Sequence, residues 1–156
     1  MTIDDVIKSA TEKSRIKLIG NPVSAEGLAL CQKSMMEKGF PSIPQEYTEF
    51  LEKINGCYFL FDLDDIQFYG TKKIRNLEHS SVKDLIFANK EFAKLYYDMP
   101  YGWTHYVIIG ECHGSHYYYL YNTKSGCYQA HCYDAGTWYE YKTFEEMFVG
   151  VVAPRI

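Results

Sequence analysis

The sequence predicts a single α+β domain built on an antiparallel-rich central sheet. Three observations lead there. Residues 44–56 read as a complete helix with both ends written in, and they feed directly into a strand-like run. The last third alternates aromatic strands with hairpin turns. Strands come in runs separated by helices, and do not alternate with them one for one. The chain has 156 residues and is 47% apolar, so one domain is expected, able to bury roughly 70% of its unfolded surface.

The elements follow in order. Thr2 with Asp5 has the spacing of a capping box and predicts a helix over 3–14. Asn21-Pro22 interrupts the chain. A second helix starts at Ser24 and ends before Gly39, with Leu28, Cys31 and Met35 inward. In the third, Tyr47, Phe50, Leu51 and Ile54 fall at the spacing of one helical face. Pro44 opens it where the missing N–H is not needed, and Asn55-Gly56 supplies the left-handed stop. Tyr58–Phe61 and Asp65–Tyr69 then form an antiparallel pair around the acidic turn Asp62-Leu63-Asp64. A third strand is expected over Lys73–Leu77. Ser81 caps a helix over 82–97 with the stripe Val82, Leu85, Ile86, Phe92, Ala93 and Tyr96, and with Asp84 in the first turn, where the helix dipole favours an anion. Pro100-Tyr101-Gly102 ends it. Tyr106–Gly110 is a buried strand, His116–Asn122 another, and residues 122–126 a hairpin loop leading to Cys127–Tyr133. Asp134-Ala135-Gly136 is a second turn. Thr143 and Glu146 form a capping box for a closing helix with Phe144, Met147 and Phe148 apolar.

The net charge is −4, from 20 acidic and 16 basic side chains, which excludes a basic nucleic-acid binder and suits a basic partner. No run approaches the ~18 apolar residues of a membrane span. The five cysteines are irregularly spaced and no secretory leader precedes them, so free thiols and a cytoplasmic location are expected.

Several constellations are candidates for chemistry. Cys112, His113, His116, Cys127, His131 and Cys132 lie on neighbouring strands and include zinc-ligand types. Adjacent pairs such as Cys112-His113 point to opposite faces of a strand, however, so only about half can converge. Cys112 or Cys132 beside a histidine has the composition of a nucleophile pair, without a strand-to-helix elbow or oxyanion turn. Gly110-x-x-x-Gly114 is not a phosphate loop, because no helix follows it. Asp62, Asp64 and Asp65 lack the later glycine and glutamate of a calcium loop. No cofactor is expected.

The compositional oddity is tyrosine: of 15 in all, 12 follow residue 95. In His116–Tyr121, if Leu120 faces the core, Tyr117, Tyr119 and Tyr121 line the opposite face. Tyrosine offers a large, rigid contact area with a polar tip, so that face is a candidate partner-binding platform, with Asp62, Asp64 and Asp65 as acidic contributors. The competing reading is that tyrosine simply suits a half-covered sheet.

The order of motifs resembles the SUKH superfamily. The resemblance rests on Pro44-x-x-Tyr47-x-x-Phe50-Leu51-x-x-Ile54-Asn55-Gly56, on Ile108-Ile109-Gly110, on Gly114 ahead of an aromatic strand, and on Thr143-Phe144-Glu145-Glu146-Met147-Phe148. It spans roughly residues 40–150, with residues 1–40 as a helical N-terminal extension of one domain over 1–156. Ser115 and Asn122 stand where the family commonly carries acids. The resemblance implies a central sheet with helices packed against one side, and binding without catalysis. Members are bacterial immunity proteins that neutralise a cognate polymorphic or contact-dependent toxin, often a nuclease or deaminase. A yeast regulator of cell-wall synthesis also belongs. The partner expected is therefore a protein toxin, with a regulatory scaffold or a Cys/His metal protein as the alternatives.

Overall fold

The structure, a computed structural model, describes residues 1–75, 80–95 and 103–156. In chain order it contains α1 (Ile3–Glu12), β1 (Ile16–Ile19), α2 (Ala25–Glu37), α3 (Gln45–Lys53), β2 (Cys57–Leu60), β3 (Asp65–Phe68), β4 (Ile74–Arg75), β5 (Ser81–Val82) and α4 (Leu85–Leu95). A 3₁₀ turn (Trp103–His105) leads to β6 (Tyr106–Cys112), β7 (Tyr117–Asn122), β8 (Cys127–Cys132), β9 (Thr137–Tyr141) and α5 (Phe144–Val152), and a second 3₁₀ turn (Ala153–Arg155) follows. Seven strands form one sheet in the order β1-β2-β3-β6-β7-β8-β9, every neighbouring pair antiparallel. β4 and β5 form a separate ribbon between β3 and α4. The fold is α+β, as the sequence predicts.

Local signals place most of these elements. The Thr2/Asp5 capping box is formed in full. Ser24 caps α2 through the N–H of Gly27, and Cys31 and Met35 are buried, with Leu28 packed beside them. Pro44 is the cap residue of α3, and Tyr47, Phe50 and Leu51 are buried. The helix ends at Lys53, Ile54 is extended, and Gly56 takes the positive φ of +88° that turns the chain into β2. Thr143 caps α5 through the N–H of Glu146, but the Glu146 carboxylate accepts from Lys142, one residue before the cap.

Three expectations need correction. The N-terminal forty residues are not purely helical: β1 pairs with β2 and becomes a sheet edge. Ser81 does not cap α4 but lies in β5; Asp84 caps the helix by accepting from the Phe87 N–H at 2.8 Å. The third strand is only Ile74–Arg75 among the described residues. Its expected end at Asn76-Leu77, the helical extension through Tyr96 and Tyr97, and the Pro100-Tyr101-Gly102 stop lie outside them.

Strand alternation puts Phe59, Phe68, Tyr119 and Tyr128 on one face of the sheet. Phe50 of α3 and Phe144 and Phe148 of α5 pack on them, with Phe68 and Phe148 ring centroids 4.9 Å apart. α1 backs α5. These helices share one side, as expected, but α4 lies across the other face, where Phe92 meets the ring of Tyr118 edge-on at 5.2 Å. β6 has a bulge between Ile108 and Gly110, and side chains from helices on both faces reach its backbone there. Tyr47 donates from below to the carbonyls of Ile109 and Tyr69. From above, the buried Asn89 of α4 accepts from the N–H of Ile108 at 2.9 Å and donates to its carbonyl at 3.0 Å. The bulge is thus satisfied from two helices at once.

Candidate functional site

The acidic turn and the start of β7 meet at one end of the sheet, and most of their polar groups are consumed there. Gly114 has no Cβ to block Asp64, whose Oδ1 would lie 2.4 Å from one. The Asp64 carboxylate, 11% exposed, accepts from the N–H and hydroxyl of Ser115 at 3.2 and 2.6 Å, from the thiol of Cys112 and from Arg155 Nε at 3.0 Å. Burial alone would raise this carboxyl, but the hydrogen bonds from Cys112, Ser115 and Arg155 and the Arg155 charge outweigh it and hold it below the usual value. Asp65 accepts from Tyr58 and from the backbone and ring of His113. Asp62 is exposed and pairs with Arg15 at 2.8 Å.

Beside this turn, on the α4 face, runs a charge network that the sequence reading missed. Glu111 is nearly buried in β6 and receives Lys83 Nζ at 2.9 Å, Gln67 Nε2 at 2.9 Å and His113 Nε2 at 3.3 Å. Both ring nitrogens of His113 therefore face carboxylates, which favours the doubly protonated ring. The hydrogen bonds to Asp65 and Glu111 push its pKa up to about 10, against burial. The signal for Glu111 was present as a lone charge in a strand that reads as buried throughout.

The tyrosines do not form one platform. Tyr119 is 1% exposed, stacked on Phe68 at 5.5 Å, so it belongs to the core and presents nothing to a partner. It faces the helices because its side of the sheet is the one α3 and α5 cover. Tyr117 is half-buried at the acidic-turn end, its ring 6.2 Å from that of Tyr139. Tyr121, also half-buried, lies four residues further along β7, about 13 Å away at strand spacing. The fold thus places Tyr117 in a groove with Arg155, the partner of Asp64, leaves Asp65 on the opposite face, and separates Tyr121 from the acidic turn.

Tyr121 meets different carboxylates. Its ring lies 5.0 Å from that of Tyr128, and with Glu46 and Glu49 of α3 they line a hollow of about 320 Å³. Burial raises the Tyr128 phenol, and the nearby charges of Glu46 and Glu49 raise it further. A second hollow of about 270 Å³ opens on the other side of the same two glutamates, floored by Phe50 and Phe144 and rimmed by Asp4, Glu145 and Lys53. Glu46 spends one oxygen on the Phe144 N–H at the start of α5, and Glu49 accepts from Gln45 on its own helix. Both glutamates are exposed. The surface is a carboxylate-rimmed aromatic one, suited to the cationic side chains of a protein partner.

The Cys/His group is scattered. Cys127 begins β8 while Cys132 ends it, His131 lies against Trp138 with ring centroids 3.9 Å apart on the α4 face, and Cys112 bonds Asp64 on the opposite face. Among the described residues, no three His, Cys, Asp or Glu side chains are grouped to hold a metal ion. Burial and the Asp64 carboxylate push the Cys112 thiol up to about 11, the reverse of an activated nucleophile. No helix among the described residues is long and apolar enough to cross a membrane.

Compared with known proteins, residues 22–150 match the family model described as SMI1 / KNR4 family (SUKH-1). No curated protein matches the chain.

Proposed function

The chain belongs to the SMI1 / KNR4 family (SUKH-1), and on that premise we propose that it is an immunity protein. It binds a cognate toxin domain of a polymorphic or contact-dependent system, of the nuclease or deaminase type, and occludes the toxin's active site inside the producing cell. It works by binding, without catalysis and without a cofactor.

The observation that supports this reading is the exposed pair Glu46 and Glu49, which share a hollow with the half-buried ring of Tyr121 above the buried Tyr128. Carboxylates beside a partly exposed aromatic ring complement the lysines and arginines that line a nuclease's substrate groove, and they speed encounter with it. Of the residues expected at the interface, Tyr121 is central to this proposal, with Tyr117 and the exposed Asp62 contributing further along the sheet. Tyr119 is left out as core. Asp64 and Asp65 hold loops in place, which shapes the surface without touching a partner.

Co-expression with the toxin domain encoded by the neighbouring gene tests the reading. The expected result is a stable complex and protection of the host cell, with Glu49→Lys reducing both. Absence of a complex and of protection overturns it, and a complex with a non-toxic neighbour favours a regulatory scaffold instead.

A further inference from the structure

The two edges of the sheet are built differently, and the difference points to a second kind of contact. β1 is guarded. It has four residues, a bulge between Ile16 and Leu18, a lysine within it, and α1 packed against it. β9 lacks the bulge and the lysine, and α5 packs only on the face of it that the helices cover. Its five residues, Thr137–Tyr141, keep an unbroken register with β8, contain no proline or lysine, and are rich in aromatic side chains. Among the described residues no strand lies beyond it. Its outer N–H and C=O groups therefore form a template for another strand.

The side chains beside that template are also open. Tyr139 is 52% exposed. With Tyr117, Tyr141, Ala130 and Val151 it lines a groove of about 170 Å³ on the face that α3 and α5 cover, beside the last turn of α5. Arg155 closes the groove with its charge already held by Asp64. On the opposite face of β9, Glu140 is exposed and accepts from Gln129 at 2.9 Å. Tyr141 pairs across to Tyr128, so the edge is continuous with the Tyr121 surface.

We propose that β9 is a docking edge for an extended protein segment, which adds an eighth strand to the sheet. The occupant carries an apolar or aromatic side chain that seats among Tyr117, Tyr139 and Tyr141, and basic side chains on the alternate positions, against Glu140. Main-chain hydrogen bonds supply affinity, and the groove and the carboxylate supply selectivity. The inference stands on the edge itself and does not need the partner to be a toxin.

The probe is a synthetic peptide of about seven residues alternating phenylalanine and lysine, titrated into the full chain labelled with ¹⁵N. Amide shifts confined to residues 137–141 and their β8 neighbours are expected. Affinity falls at least about tenfold when alternate peptide nitrogens of the probe are methylated, since each methyl removes a main-chain donor. Glu140→Lys weakens the lysine peptide and favours the same peptide with glutamate in place of lysine. No binding, binding that ignores N-methylation, or shifts away from β9 overturns the proposal. A β9-mediated dimer of the free chain that excludes the peptide also overturns it. Failure here leaves the immunity role standing if co-expression protects the cell, and lack of protection leaves the edge standing if the peptide binds.

Discussion

Asp64 and Glu49 carry the same chemistry one methylene apart, and the fold uses them in opposite ways. Asp64, at the β2–β3 turn, is 11% exposed and accepts from Ser115 twice and from Arg155 once. Glu49, on the outward side of α3, is exposed beside the Tyr121 hollow, with Gln45 of its own helix as its partner among the described residues. A carboxylate whose lone pairs are filled from within the chain has little left to offer a partner, and its removal breaks the loops it ties together. A carboxylate with open lone pairs contributes little to folding and remains free to bind. Both look alike in a sequence.

The strongest test of that contrast is Asp64→Ala. It leaves Ser115, Cys112 and Arg155 without their shared acceptor, with an expected loss of about 2–4 kcal/mol of stability, read as a lower urea midpoint. A loss below about 0.5 kcal/mol would mean the turn is as dispensable as an ordinary surface position. Glu49→Lys should do the reverse: unfolding stays within about 0.5 kcal/mol of the wild type, while toxin affinity drops about tenfold through the association rate. Tyr121→Ala weakens the complex by about 1–2 kcal/mol in titration calorimetry.

A pH series sharpens the comparison further. His113 is raised in the folded state to about 10 from an ordinary 6.5, so the stability it contributes is complete below pH 6.5 and is lost as pH climbs from there toward 10. Asp64, Asp65 and Glu111 are lowered in the folded state despite burial, because of their hydrogen-bond donors, and their contribution is lost as the pH falls below the ordinary carboxylate range. Stability should therefore peak between about pH 5 and 6.5. His113→Gln should flatten the alkaline slope, and an unchanged slope in that variant would place its cause elsewhere. The smallest effect belongs to Asp62→Asn, which removes an exposed pair with Arg15 and should leave the denaturation curve unmoved at moderate salt.

The helices were legible because their signals are local. Thr2, Ser24 and Thr143 each bond within their own first turn, and Tyr47, Phe50 and Leu51 reach the core through spacing alone. Asn122, standing where the family commonly carries an acid, still caps its hairpin by accepting from Lys124 and Ser125, which is again a local arrangement. β1 escaped notice because Ile16–Ile19 is a short run next to a helix, and only its pairing with β2 gives it a role. Ser81 misled because a serine before an apolar stripe has the form of a cap, whereas its backbone is taken by β4. Alternation correctly separated Tyr117, Tyr119 and Tyr121 from Tyr118 and Leu120. It left open which helices would cover which face: α3 and α5 cover the one with Tyr119, and α4 the one with Tyr118.

By itself, then, the chain determined its class, its family, the positions of its main helices and hairpins, and the parity of each strand residue. These depend on side-chain periodicity and on hydrogen bonds spanning a few residues. Tertiary structure alone decided which helices cover each face of the sheet, which carboxylates are spent internally, and that Tyr121 lies beside Glu46 and Glu49. Asp64 and Arg155 are 91 residues apart in the chain, and no local pattern encodes a contact that exists only once seven strands have been brought into register.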